Sequence, residues 1–367
     1  MRGDHSPGEK PITFSKKLLA WYDTQGRQNL PWRQNITPYR VWVSEIMLQQ
    51  TQVKTVIPYF NRFMQHFPTL QHLAEADIDH VLHLWTGLGY YARARNLHRA
   101  AQLVLQQHAG QFPRDVASLQ ALPGIGRSTA GAIAAISYQQ RAPILDGNVR
   151  RILSRLHRVA GNPQDPATLK ALWTLAEDYT PSQRTADYTQ AMMDLGAMLC
   201  LRGTPACEQC PVTSHCQAYQ QGQQKQFPHP KPRKTQPIRT TRLLILQDIQ
   251  QQTILLEKRP AKGIWGGLWS LPECAWDIDL AHWCQQHYQY EVMDSESLPE
   301  FRHTFTHFHL DIQPFYLKGK PRASTNLDSQ RQVWYKPQQI ALLGLPAPVK
   351  RLLYDTTDFL QKTTERS

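Results

Sequence analysis

Four cysteines crowd into one short segment, Cys200-x6-Cys207-x2-Cys210-x5-Cys216, with Pro205 and Pro211 stiffening the loops between them. Four soft ligands so spaced can wrap one tetrahedral metal or one cluster, which forces the surrounding chain into a compact loop structure. In a chain of 367 residues such crowding points to metal ligation before disulfides. Spacing alone leaves a structural zinc and an iron–sulfur cluster equally open. The other two cysteines, Cys274 and Cys284, stand apart and read as packing residues.

Upstream of the cluster, from Thr13 to about Leu199, apolar residues recur at helical spacing and alternating β-branched runs are scarce. Thr37-Pro38 reads as an N-cap and first-turn proline, and Gly26 and Gly110 sit where C-terminal caps belong. Between Tyr219 and Thr241 the composition turns to Gln, Pro, Lys and Arg, the signature of a basic, semi-rigid connector. Beyond it, Arg242 to Leu246, Thr253 to Lys258, Thr304 to Leu317 and Gln332 to Lys336 read as strands. Helical patterns lie near Asp279 to His287 and Pro348 to Leu360. The expected organisation is a disordered 1–12, an all-α domain over 13–218 with the cysteine subdomain at 200–216, a linker over 219–240, and an α+β domain over 241–367.

The formal net charge is +12, and such an excess of Lys and Arg in a globular chain attracts polyanions, nucleic acid first. A plain solubility charge is the competing explanation. No stretch approaches the ~18 apolar residues of a membrane span, and Met1 to Lys10 lacks an apolar signal core. The reading is therefore a cytoplasmic, nucleoid-associated monomer with no membrane partner.

Leu122-Pro123-Gly124-Ile125-Gly126-Arg127-Ser128-Thr129-Ala130 lies between two helical patterns and reads as helix, tight hairpin, helix. Gly124 and Gly126 let the backbone approach a ligand, and the amides opening the second helix favour a phosphate. An ordinary helix–helix turn would look similar.

Glu45 falls mid-helix with Val41, Trp42, Leu48 and Gln49 on its face, so its carboxyl should be partly desolvated and hold a proton near neutral pH. A solvated surface glutamate is the plainer alternative. Asp146 follows Pro143-Ile144-Leu145 and precedes a helix with Val149, Ile152, Leu153 and Leu156 on its apolar face. Capping alone accounts for an Asp there, yet the helix dipole should also keep it ionised, suited to a developing positive charge. One neutral and one anionic carboxyl is the pairing that cleaves a glycosidic bond.

Taken together, the hairpin, the Gly/Pro-rich approach to Asp146 and the four cysteines resemble the endonuclease III superfamily of base-excision glycosylases. Within it, Val43-Ser44-Glu45-Ile46-Met47-Leu48-Gln49-Gln50-Thr51-Gln52 and Trp85-Thr86-Gly87-Leu88-Gly89-Tyr90-Tyr91-Ala92-Arg93 are similar to the MutY-type adenine glycosylases. The resemblance, from about Phe14 to Leu353, implies a [4Fe-4S] cluster on Cys200, Cys207, Cys210 and Cys216. It implies that Glu45 protonates N7 of an extruded adenine, that Asp146 stabilises the oxocarbenium-like sugar, and that Arg33 and Asn148 support them. Gln50 and Tyr90 match intercalating positions. Read without the family, Tyr90 is a core aromatic beside Trp85, Arg33 a solvated loop residue and Asn148 ordinary turn chemistry.

Where endonuclease III carries a Schiff-base lysine, this chain has Ser128, which implies base removal without efficient strand cleavage. The second domain resembles the MutT/Nudix fold but offers no paired glutamates for Mg2+. Its Phe305-Thr306-His307 matches a loop that probes 8-oxoguanine; one strand face bearing His303, Phe305, His307 and His309 is the structural rival. The implied substrate is double-stranded DNA with adenine opposite 8-oxoguanine or guanine. The rivals are a bifunctional endonuclease III-like glycosylase/lyase, a lesion-binding scaffold without chemistry, and a nucleotide pyrophosphatase.

Overall fold

The computed structural model describes residues 9–230, 235–322, 331–336 and 343–354. Helical periodicity in the first half resolves into α1 (Glu9–Gln25), α2 (Pro38–Leu48), α3 (Val53–His66), α4 (Leu70–Glu75), α5 (Ile78–Trp85) and α6 (Ala92–Gln107). It continues through α7 (Val116–Gln120), α8 (Arg127–Tyr138), α9 (Gly147–His157), α10 (Pro166–Tyr179), α11 (Thr185–Met198) and α12 (Gln217–Gln220). Residues 9–12, expected to be unstructured, open α1. Thr37 caps α2, its Oγ1 accepting from Arg40 N at 3.2 Å, with Pro38 supplying a preset φ at the first turn.

The chain divides into two compact units, one of Met1–Glu75 with Asn96–Arg233, the other of Ala76–Arg95 with Lys234–Ser367. In the first, α8 runs through the core: Ala130 to Ile136 are all buried, and the small side chains let α2, α7 and α11 approach from different sides. Next to it, α9 packs on α10, α11 and α12. The N-terminal ends of α8 and α9 carry Ser128 and Asp146, so packing these helices together assembles the ends that matter. Beyond α12 the connector docks back, with Phe227 buried and its carbonyl accepting from Arg155 Nε at 3.0 Å.

The second unit holds a mixed sheet of β1 (Ile238–Asp248), β2 (Thr253–Lys258), β3 (Trp269–Ser270), β4 (Glu273–Cys274), β5 (Tyr290–Ser297), β6 (Phe301–Thr304), β7 (His309–Pro321) and β8 (Gln332–Tyr335). Its main path is β3-β2-β1-β7-β5, with β4 on β1, β6 on β7 and β8 on β2. The central β1–β7 pair is parallel and the other pairs antiparallel. Leu244, Leu246, Leu255 and Leu317 form a core with Cys274 and Cys284, which are packing residues as expected. One helix, α13 (Leu280–Tyr288), covers this core, capped by Asp279, whose side chain accepts from His282 N at 2.7 Å. Its sequence, LAHWCQQHY, contains no carboxylate.

One strand expectation needs revision. The run Thr304 to Leu317 is not one strand: residues 305–308 form a turn between β6 and β7, closed by Phe305 N donating to Phe308 O at 2.9 Å. Of the expected terminal helix, residues 347–354 are helical and the remainder lies outside the described residues.

Candidate active site

Because α2 packs on α8, Trp42, Val43 and Met47 are buried against the core while Glu45, on the neighbouring face, lines a cavity of 820 Å³. The same cavity is lined by Asp146, Ser128, Arg33, Asn148 and Gln50. Side chains from four stretches of sequence, around residues 33, 45–50, 128 and 146–148, thus meet in this cavity.

Glu45 is half-buried. Burial pushes its carboxyl from 4.5 up to about 7, the negative charge of Asp146 adds to the rise, and the Arg33 guanidinium opposes it. Its place in the cavity lining differs from that of a solvated surface glutamate.

Asp146 is the N-cap of α9, its Oδ1 accepting from Val149 N at 2.8 Å and its Oδ2 from Asn148 Nδ2 at 3.3 Å. Cap and cavity-facing carboxylate are one group. Burial raises the Asp146 carboxyl, against the lowering by the Val149 and Asn148 bonds and the Arg151 and Arg150 charges, so burial works against the helix end that is expected to keep it ionised. Asp146 receives two N–H donors, which favours its ionised form, while burial and the Asp146 charge favour a proton on Glu45.

Arg33 is not solvated. Its Nη1 and Nη2 each lie 2.8 Å from an oxygen of Asp194, a fully buried residue of α11 that also binds Arg27 through Nε at 2.8 Å and Nη2 at 2.6 Å. Burial alone would raise Asp194, but the Arg33 bonds and the charges of both arginines bring it below the ordinary range. Asp194 escaped notice in the sequence; the available signal was a lone carboxylate among buried Ala191, Met192 and Leu195.

Asn148 is more than turn chemistry. Its Oδ1 accepts from Arg151 Nη2 at 2.8 Å while its Nδ2 reaches Asp146, so its amide orientation is set by a cation. Behind it, a Cβ on Gly196 would stand 2.4 Å from Asn148 Cβ, so only glycine lets α11 come this close. Ser128 Oγ accepts from Leu145 N at 3.0 Å, tying α8 to the stretch that delivers Asp146.

The hairpin is built as read. Gly124 (φ 78°) and Gly126 are exposed between α7 and α8, and no side chain among the described residues caps α8, so its opening amides stay available. Gln50, exposed at the cavity rim, and Tyr90 in the other unit both adopt left-handed backbone, φ 59° and 50°. Tyr90 is 43% exposed whereas Trp85 is fully buried, so Tyr90 is not a core aromatic. Arg93 lies over both rings, 5.3 Å from Trp85 and 5.6 Å from Tyr90.

All four cysteines of the segment are half-buried thiols at the end of α11 and on the two short turns that follow. Burial, then the charges of their neighbours, raises Cys207, while burial pushes Cys210 up to about 11. Arg155 Nη1 stands 3.2 Å from Cys200 Sγ, and Thr213 Oγ1 bonds the carbonyls of Cys207 and Cys210, each at 2.7 Å. Among the described residues, no three His, Cys, Asp or Glu side chains converge tightly enough to hold a single metal ion. Four half-buried thiols on one short segment, with the Arg155 guanidinium against Cys200, have the donor chemistry of a thiolate-ligated cluster.

In the second unit, Thr306 and His307 are exposed at the tip of the β6–β7 turn, Thr306 Oγ1 lying 3.1 Å from His307 Nδ1. Phe305 anchors the turn, stacked on Phe308 at 4.5 Å and packed on Trp265 at 5.6 Å. The histidine-faced strand is ruled out, since Phe305 and His307 belong to the turn.

Two family models match this chain: HhH-GPD superfamily base excision DNA repair protein over residues 43–178, and NUDIX domain over residues 242–355. The chain is 37% identical over 340 residues to the adenine DNA glycosylase of Buchnera aphidicola subsp. Acyrthosiphon pisum (strain APS), covering 93% of this chain and 96% of that protein. It is 35% identical over 404 residues to the adenine DNA glycosylase of Homo sapiens, covering 92% and 73%. Among solved structures, a thermostable thymine-DNA glycosylase superposes with TM-score 0.53 at 26% identity over 58% of this chain and 98% of that one. A non-covalent endonuclease III–DNA complex superposes with TM-score 0.50 at 19% identity, over 59% and 99%, a likeness of fold.

Proposed function

The chain belongs to the adenine DNA glycosylases of base-excision repair, and on that premise we propose that it hydrolyses the N-glycosidic bond of adenine paired with 8-oxoguanine, and of adenine paired with guanine, in duplex DNA. The observation that carries this reading is the shared cavity in which Glu45 is pushed towards its neutral form and Asp146 receives the N–H donors.

The open amides at Gly124, Gly126 and the start of α8 hold the phosphate backbone and set register without reading sequence. Extruding the adenine costs roughly a few kcal/mol, which Gln50 and Tyr90 offset by filling the gap. With the base in the cavity, Glu45 donates its proton to N7, the C1′–N9 bond breaks, and its electron pair leaves with adenine. Asp146 stabilises the cationic sugar from its cap position. Water then adds to C1′ and gives its proton to the Glu45 carboxylate, restoring the acid and leaving an abasic site. Arg33, held by Asp194, limits how far the Glu45 carboxyl is raised and so keeps its proton transferable, and Asn148 orients Asp146. Ser128 offers a hydroxyl engaged with Leu145 where an amine would be needed for a Schiff base, so strand cleavage is not part of the reaction.

Cys200, Cys207, Cys210 and Cys216 would hold a [4Fe-4S] cluster, which supplies structural cross-linking of the loop when bound. The four closely spaced thiols, with the Arg155 guanidinium beside Cys200, support that ligand set. Thr306 and His307 read the 8-oxoguanine on the opposite strand, their polar atoms presented by an aromatic base. The complete constellation lies in one chain, so a monomer suffices. No helix among the described residues is long and apolar enough to cross a membrane.

The test is incubation with duplexes bearing adenine opposite 8-oxoguanine, guanine or thymine, followed by alkali. Alkali-dependent cleavage in the first two, fastest opposite 8-oxoguanine and absent opposite thymine, is the expected outcome. Efficient scission without alkali would overturn the hydrolytic assignment.

A further inference from the structure

The helix α5 and the turn that follows it, residues 86–91, belong with the β-sheet unit. That turn carries Tyr90, and the same unit carries the Phe305–His307 turn. The helix is pinned near its start. Asp79 Oδ2 accepts from Lys258 Nζ at 2.9 Å and from Trp269 Nε1 at 3.1 Å, and the Lys258 ammonium lies 5.5 Å from the Trp269 ring centre. Asp79 and Lys258 side chains are only 26% and 29% exposed, so this pair is shielded from solvent competition in a way that surface ion pairs are not.

A second pin lies on the far side of the turn, where Arg95 Nη1 donates to the carbonyl of Gly266. Gly266 adjoins Trp265, and Trp265 packs on Phe305 at 5.6 Å and on His303 at 5.7 Å. Between the pins, Tyr91 Oη donates to Leu345 O at 3.3 Å. Arg93 Nη2 donates to the carbonyls of Leu88 and Gly89, each at 3.1 Å, and Trp85 Nε1 to Gly89 O at 3.2 Å. The loop preceding β3 therefore touches the root of the 305–307 turn on one side and the frame of the Tyr90 turn on the other.

We propose that Asp79 and Arg95 are positioning residues that lock the intercalating turn to the turn that reads oxidised guanine, so that engagement of the lesion on one strand places Tyr90 into the stack. The inference rests on the roles given above to Tyr90 and to Thr306 and His307. Neither Asp79 nor Arg95 touches the adenine cavity. They act on discrimination between opposite bases, and the bond-breaking step proceeds without them. Without the pins, Tyr90 inserts with the same chemistry but no longer gains from contact with the oxidised base.

The experiment uses the full-length protein and single-turnover excision from duplexes with adenine opposite 8-oxoguanine or guanine, with 2-aminopurine beside the target to report unstacking. Asp79→Asn and Arg95→Met should each lower the ratio of the two rates about tenfold, the scale of one lost charge-assisted hydrogen bond. The fluorescence rise should shrink on the 8-oxoguanine duplex, and the rate opposite guanine should stay close to parental. If both rates fall together, or if the ratio is unmoved in a folded variant, the positioning role is refuted. Should Asp79→Asn fail to fold, Lys258→Met carries the same test from the other partner. A Thr306→Ala, His307→Ala double variant separates the two layers. Retained preference there overturns the reading of the 305–307 turn itself; lost preference there, with Asp79→Asn and Arg95→Met unaffected, overturns only the present inference.

Discussion

At the scale of single residues, the chemistry depends on where one proton sits. Glu45 lies on a helix face whose neighbours in sequence already announced desolvation, and its rise from 4.5 to about 7 follows chiefly from burial. Only the neutral form can act as an acid, so single-turnover excision should decline as pH rises through about 7, and Glu45→Gln should cost at least ~10²-fold at every pH. Stability must follow the same group. The folded chain keeps a proton that the unfolded chain releases above 4.5, so the contribution of the neutral carboxyl is complete below 4.5 and is lost on the way to about 7. Thermal melts should therefore show Glu45→Gln above the parent at about pH 8 and level with it at about pH 4. Asp194, by contrast, was invisible as a partner of Arg33, because 161 residues separate them and no periodicity links a loop arginine to a distant helix.

At the scale of elements, the helical half was readable because its apolar residues keep one period through α2, α8 and α9, and because Thr37, Asp146 and Gly110 mark ends with their own chemistry. The break inside Thr304 to Leu317 was not readable: Phe305 and Phe308 both pack inward to close the turn, so the hydrophobic pattern runs on where the strand stops. Two-residue strands such as β3 and β4 carry too short a pattern to register at all. Helix spacing around Asn148 yields a direct test. Gly196→Ala would drive a methyl into Asn148 Cβ, and the resulting shift of α11 or α9 should destabilise the fold by ~1–3 kcal/mol and slow excision through Asp146. Denaturant unfolding and single-turnover rates on one sample measure both; an unchanged rate would detach Asn148 from Asp146 function.

At the scale of the whole molecule, the two-unit organisation was foreshadowed by the change of composition after Tyr219, but the membership of Ala76–Arg95 was not, since it arises from long-range contacts such as Asp79 with Lys258. The net charge of +12 predicts how the protein meets its substrate. Affinity for duplex DNA should fall linearly on a log–log plot against salt, with a slope of about −0.9 for each phosphate neutralised. Fluorescence anisotropy across a salt series checks this, and a flat dependence would mean that base contacts alone hold the duplex. Asp146, finally, closes the first turn of α9 and also faces the cavity. A mutation that discards its oxygens removes the cap of a core helix together with the group proposed to stabilise the cationic sugar, so such copies should be lost to proteolysis before they could occupy lesions unproductively. Asparagine, itself a good cap, is the exception: it would leave a sound protein that covers mispairs and never repairs them.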